Sequence, residues 1–103
     1  MLILKYCKEG KLYSDFNLLE SACDVIEKYK AHWMEHEEDF VVDFGTENFI
    51  NAIRVVCKRT NFNVVDVRFI FNEEIILMDE YYMLDHWPKG FGDIQEKLML
   101  ELI

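Results

Sequence analysis

The sequence predicts an α+β domain: a small mixed or antiparallel sheet packed against two to three helices, in the order ββ-α-β-α-ββ-α. Three observations predict it. Val65, Val67, Phe69 and Phe71 alternate with Val64, Asp66, Arg68 and Ile70, the period-two pattern of a strand with one buried face. Asn72-Glu73-Glu74 interrupts that pattern and Ile75 to Met78 resumes it, so Asn63 to Glu80 reads as a hairpin around which the chain is organised. Leu19, Ala22, Cys23, Ile26, Tyr29 and Trp33 recur at helical spacing, a stripe expected to face a core.

The other elements follow in chain order. Leu2, Leu4 and Tyr6 alternate with Ile3, Lys5 and Cys7 as a first strand, Glu9-Gly10 supplies a turn, and Lys11 to Tyr13 pairs back as a short second strand. Asn17, with Glu20 three residues on, resembles a capping box with Asn in place of Ser or Thr. The helix it opens carries Glu20, Asp24, Glu27, Lys28 and Glu35 on its solvent face and ends in the acidic run Glu35 to Asp39. Phe40, Val42 and Phe44 then alternate with Val41 and Asp43 as a third strand. Gly45-Thr46 leads into a second helix, with Thr46 as N-cap and Glu47 set against the helix dipole. Phe49, Ile50, Ile53, Val56 and Cys57 form its buried face, Lys58 and Arg59 occupy its last turn, and Asn61-Phe62-Asn63 ends it. Residues 80–84 fit a strand extension or a helical turn equally. His86 to Gly92 holds the one proline and two of the four glycines, which makes it a loop. A C-terminal helix from about Asp93 places Ile94, Leu98 and Leu102 on one side.

At 103 residues the chain has the size of one domain, expected over 1–103. Its 51% hydrophobic and 15% aromatic content fills a core and excludes a disordered acidic tail. Apolar runs of four or five residues fall far short of the roughly 20 that cross a bilayer, and Met1 to Gly10 lacks the apolar length and small-residue site of a signal peptide. Cys7, Cys23 and Cys57 form no CxxC and leave one unpaired in any disulfide scheme. Reduced thiols and a cytoplasmic location are expected.

Charge is the property that departs most from the ordinary. Twenty acids face eleven bases, for a net charge of −9. Between Lys30 and Arg54 no lysine or arginine occurs, while Glu35, Glu37, Glu38, Asp39, Asp43 and Glu47 do. Between Arg68 and Lys89 the same holds, with Glu73, Glu74, Asp79, Glu80 and Asp85. Such a surface repels nucleic acid and anionic membrane and attracts basic partners.

Motifs that carry chemistry are sparse. His32-Trp33-Met34-Glu35-His36 matches the H-x-x-E-H spacing in which two histidines one helical turn apart reach one zinc and a carboxylate activates water. It sits at a helix end among further acids, with no third ligand designated, and reads as a solvated histidine pair. Asp85-His86 offers an imidazole beside a carboxylate, but no nucleophile accompanies it. Gly90-Phe91-Gly92 lacks the later glycine of a phosphate loop, and no D-x-D-x-D-G run marks a calcium loop.

The expectation that follows is a non-enzymatic acidic binding protein. It would inhibit a nuclease or nucleic-acid-binding partner by occupying its basic groove as a nucleic-acid mimic, in the manner of anti-CRISPR, anti-restriction or toxin-immunity proteins of phages and mobile elements. DNA presents one negative charge per roughly 1.7 Å of axis, a field that a row of carboxylates imitates. The contact residues expected are Glu35, Glu37, Glu38, Asp39, Glu73, Glu74, Asp79, Glu80 and Asp85. Tyr81, Tyr82 and Trp87 serve as aromatic anchors, because tyrosine and tryptophan bury area at little entropic cost. No metal, cofactor, direct nucleic-acid contact or membrane contact is expected. An oligomeric scaffold, such as a homodimer, is the alternative class, and a small hydrolase or metal-binding protein using His32 and His36 is a third.

Overall fold

The computed structural model of the chain describes residues 1–87. Within them lie six elements: β1 (Leu2–Lys11), α1 (Leu18–His36), β2 (Phe40–Phe44), α2 (Phe49–Thr60), β3 (Val67–Phe71) and β4 (Glu74–Leu77). The order among the described residues is therefore β-α-β-α-β-β. The four strands form one mixed sheet in the order β2-β1-β3-β4, with β1 parallel to both neighbours and β3 antiparallel to β4. The α+β class holds, while the order expected from sequence does not. The expected C-terminal helix and the loop beyond Trp87 lie outside the described residues.

One face of the sheet makes the core. Leu2, Leu4, Phe44, Val67, Phe69, Phe71 and Ile76 are buried, as alternation requires, and both helices pack over them and against each other. The alternate residues Lys5, Val41, Asp43, Arg68, Ile75 and Leu77 lie exposed on the other face, with Ile3 and Ile70 half-buried among them. Parallel strands usually have both faces covered, so this open, partly apolar face is unusual among the described residues.

Several expectations are corrected. The first hairpin does not form: β1 runs through Gly10 to Lys11, and Tyr6 and Lys11 both pair with Phe44 across a register shift. Gly10 reads as a turn signal but serves close approach, since a Cβ there would lie 2.5 Å from the Phe44 carbonyl carbon. The two inner strands are β1 and β3, so the hairpin supplies one inner strand and, in β4, one edge. Val65 is exposed rather than buried because Val64–Asp66 forms a 3₁₀ turn, opened by the Asn63 side chain, and β3 begins only at Val67.

In α1 the packed stripe is Ala22, Val25, Ile26 and Tyr29, while Leu19, Cys23 and Trp33 are exposed. At 1.5 Å per residue this 19-residue helix runs about 28 Å, longer than the roughly 16 Å of the five-residue β2 that follows it. Asn17 makes no side-chain cap bond; Ser14 instead caps a preceding 3₁₀ turn by accepting from the Phe16 N–H. Thr46 does not cap α2 either. Its hydroxyl accepts from the Tyr13 N–H at 2.8 Å, and the helix starts at Phe49.

Candidate functional site

The strand register brings two acidic segments to one end of the sheet. Leu2 pairs with both Phe40 and Val67, and Arg68 sits opposite Leu77. Asp39, just before β2, and Asp79, just after β4, therefore lie at the same end, about three strand spacings or 14 Å apart. Glu35, Glu37 and Glu38 join Asp39 from the end of α1, and Glu80 joins Asp79. Glu73 lies in the β3–β4 turn at the opposite end, roughly 15 Å away along the strands.

The first acidic segment borders an aromatic groove. Trp33 (43% exposed) and Met34 (86% exposed) line a cleft of about 350 Å³ with Tyr29, Lys30, Phe62 and Asp66. Tyr29 packs edge-on against Phe62, with ring centroids 5.9 Å apart, and the Lys30 ammonium sits 5.8 Å from the Phe62 centroid. Helix α1 stops here because Glu37 adopts a left-handed conformation (φ 50°) and its N–H bonds the Trp33 carbonyl. The Tyr29 hydroxyl is held above its ordinary pKa, first by burial and then by the negative charges of Asp66 and Asp39, whose fields converge on it.

The second segment is a closed loop braced from beneath. Asp79 Oδ1 accepts from the Tyr81 and Met83 N–H groups at 2.8 and 3.1 Å, while the Asp79 N–H donates to the Met83 carbonyl. Tyr82 is left-handed (φ 64°), a conformation costly for a non-glycine residue. Arg54, only 2% exposed, donates from Nε to the Tyr82 carbonyl at 2.7 Å and from Nη1 to Asn51 Oδ1 at 2.9 Å. A buried guanidinium thus fixes this loop onto α2. The Tyr82 hydroxyl also reaches Asn61 Oδ1 at 3.4 Å, next to Phe62 of the first groove.

The expected contact residues divide accordingly. Glu37, Glu38, Glu73, Asp79 and Glu80 make no ion pair with a cation among the described residues, whereas Asp39 lies 3.5 Å from the Met1 amine and Glu35 lies 3.6 Å from His36. Glu74 and Asp85 both hold His86, at 2.5 and 2.9 Å, and a protonated His86 offsets one of their two charges. Their grip raises the His86 pKa: the Glu74 hydrogen bond contributes most, and a smaller desolvation opposes it. Of the three expected anchors, Tyr81 stands out at 72% exposed, while Tyr82 and Trp87 are half-buried against the core.

Sequence reasoning missed Trp33 and Met34. Trp33 belongs by spacing to the core stripe and Met34 does not, yet the buried part of α1 ends at Tyr29 and leaves both in water. His32 and His36 do come together, with ring centroids 5.1 Å apart. His32 also stacks near Phe40, and its Nε2 is buried without a hydrogen-bond partner. No group of three or more metal-ligating side chains occurs among the described residues, and none of their helices is long and apolar enough to cross a membrane.

Comparison with protein-family models, with curated proteins and with solved structures finds no match for this chain.

Proposed function

We propose that this protein is a non-enzymatic binding protein that docks its acidic end into a basic groove of a nuclease or other nucleic-acid-binding partner and so excludes the nucleic acid. One observation carries the reading: acidic segments some forty residues apart in sequence meet at one end of the sheet, with exposed Tyr81, Trp33 and Met34 among them. The carboxylates supply a long-range field that speeds encounter with a basic surface. The rings and the methionine supply apolar area to bury once contact is made. Bracing by Arg54 favours binding, because a loop already ordered loses little entropy on docking. Inhibitors of restriction or CRISPR nucleases and toxin-immunity proteins are the functional classes this chemistry fits.

Affinity capture from native host lysate, at low and high salt and with mass spectrometry of the retained proteins, tests the reading. Basic nucleic-acid-binding proteins should be retained at about 50 mM salt and released by about 500 mM, because the attraction is screened within a few ångströms at high ionic strength. Retention of no basic protein, or retention indifferent to salt, contradicts it.

A second reading, self-association as a scaffold, is favoured by the open sheet face, where Val41, Ile75 and Leu77 are exposed around half-buried Ile3 and Ile70. It calls for a concentration-dependent dimer with little salt sensitivity, which sedimentation detects.

A further inference from the structure

The aromatic cleft lies where both helices stop. Trp33 and Met34 belong to the last turn of α1, and Phe62 follows the left-handed Asn61 (φ 53°) that ends α2. The Phe62 N–H donates to the Cys57 carbonyl at 2.9 Å, which holds the ring beside Tyr29. Asp66 closes the 3₁₀ turn that comes next. Its N–H donates to the Asn63 carbonyl at 3.1 Å, and this turn delivers its side chain to the same cleft.

Three features of the cleft select a cation. Tyr29, Trp33 and Phe62 line it, and the face of each ring is the negative end of a quadrupole. Asp66 is half-buried there and makes no ion pair among the described residues. Burial, and then the charges of Asp66 and Asp39, raise the Tyr29 pKa, so a negative field already reaches the floor of the cleft. One cation of the chain itself uses a ring here: the Lys30 ammonium stands 5.8 Å from the Phe62 centroid. Trp33, the ring type that attracts cations most strongly, has none over it among the described residues.

We propose that this cleft holds the side chain of one arginine of the protein partner, its guanidinium over Trp33 and its N–H groups toward Asp66. What carries that arginine rests on the proposed docking of a basic partner at the acidic end. A guanidinium fits better than an ammonium because it is flat and weakly hydrated. It stacks on an indole at little desolvation cost, and its forked donors match a carboxylate. The Met34 side chain, 86% exposed, is free to lie along the apolar stem. A volume of about 350 Å³ stands at the lower end of the roughly 300–1,000 Å³ of ligand sites, which suits one long side chain.

The probe is a capped tripeptide with arginine between two glycines, titrated into the full chain at constant ionic strength. The NMR signals of the Trp33 indole and the Met34 methyl group are followed, and their shifts should saturate with a Kd of about 1–10 mM. The citrulline peptide, equal in shape but uncharged, should bind about tenfold more weakly. The lysine peptide has the same charge and so reports the pull of the net charge of −9 alone; it should bind at least about threefold more weakly than arginine. Asp66→Asn should weaken arginine binding about fivefold without affecting citrulline, and Trp33→Leu, read on Met34, should weaken it by a similar factor. Lys30→Met removes the competing cation and should tighten binding about twofold. Melting temperatures check folding, and the comparison of the three peptides on the parent chain stands if a variant does not fold. The proposal is overturned by no saturating shift at about 20 mM peptide, by citrulline or lysine binding as tightly as arginine, or by a folded Asp66→Asn that binds like the parent. Arginine-selective binding with no basic protein captured from lysate would sink the inhibitor reading alone. Salt-sensitive capture without arginine selectivity would sink the cleft alone.

Discussion

Glu73 offers the cleanest separation of fold from function. It is the second residue of a two-residue hairpin turn in which Asn72 (φ 47°) and Glu73 (φ 72°) are both left-handed, the conformation in which asparagine followed by glycine is preferred. A glutamate there carries about 1–2 kcal/mol of left-handed strain, while a glycine gives back about 0.5–1 kcal/mol through its freer unfolded chain. Glu73→Gly should therefore stabilise the protein by about 0.5–1 kcal/mol, seen as a rise of roughly 3–6 °C in melting temperature for a domain of this size. Glu73→Ala removes the same charge but keeps the strain, so its melting temperature should hardly move. Thermal melts of the two variants side by side decide the matter. An alanine variant as stable as the glycine one would show that charge, not backbone conformation, sets the effect; a glycine variant less stable than the parent would refute the turn assignment.

Other expectations concern groups that hold the site together. Arg54→Met leaves the Tyr82 carbonyl and the Asn51 amide without their buried donor. It should lower stability by about 2–4 kcal/mol in urea unfolding and speed amide exchange at Tyr81 and Met83; a loss under about 1 kcal/mol would speak against a bracing role. His86 has a folded pKa above its unfolded value, so its stabilising contribution is full below about pH 6.5 and fades as pH rises through the raised folded value. Melting temperatures of wild type and Glu74→Gln should differ more at about pH 6 than at about pH 9, and a constant gap would contradict this. Burial pushes the Cys57 thiol up to about 12, whereas Cys23 is exposed. Iodoacetamide at about pH 8 should alkylate Cys23 in the native protein and Cys57 only on unfolding, read by mass spectrometry.

Local patterns were legible wherever neighbours in sequence decide the outcome. The alternation of Phe40, Val42 and Phe44, the apolar face of α2 from Phe49 to Cys57, and the hairpin at Asn72-Glu73 all follow from period and turn chemistry. What could not be read depends on contacts between distant residues. Gly10 looks like a turn until the Phe44 backbone is seen against it, and the Thr46 hydroxyl looks like a cap until Tyr13 claims it. The acidic character of the site was plain from composition, but its grouping was not. Strand order and direction put Asp39 and Asp79 at one end and Glu73 at the other, and β1 lies inside because the α2 crossover carries the chain past it from β2 to β3. Arg54, mid-helix among apolar residues, gave no sign of the loop it holds.

The most direct test compares two charge reversals matched in number. Glu38→Lys with Glu80→Lys alters the acidic end, and Glu73→Lys with Glu74→Lys alters the hairpin turn. Each is scored for capture of basic nucleic-acid-binding proteins from host lysate at low salt, with melting temperature as the check on folding. The account predicts that the first pair abolishes capture at unchanged melting temperature while the second leaves capture close to wild type. Equal loss from both, or loss from the hairpin pair alone, contradicts it.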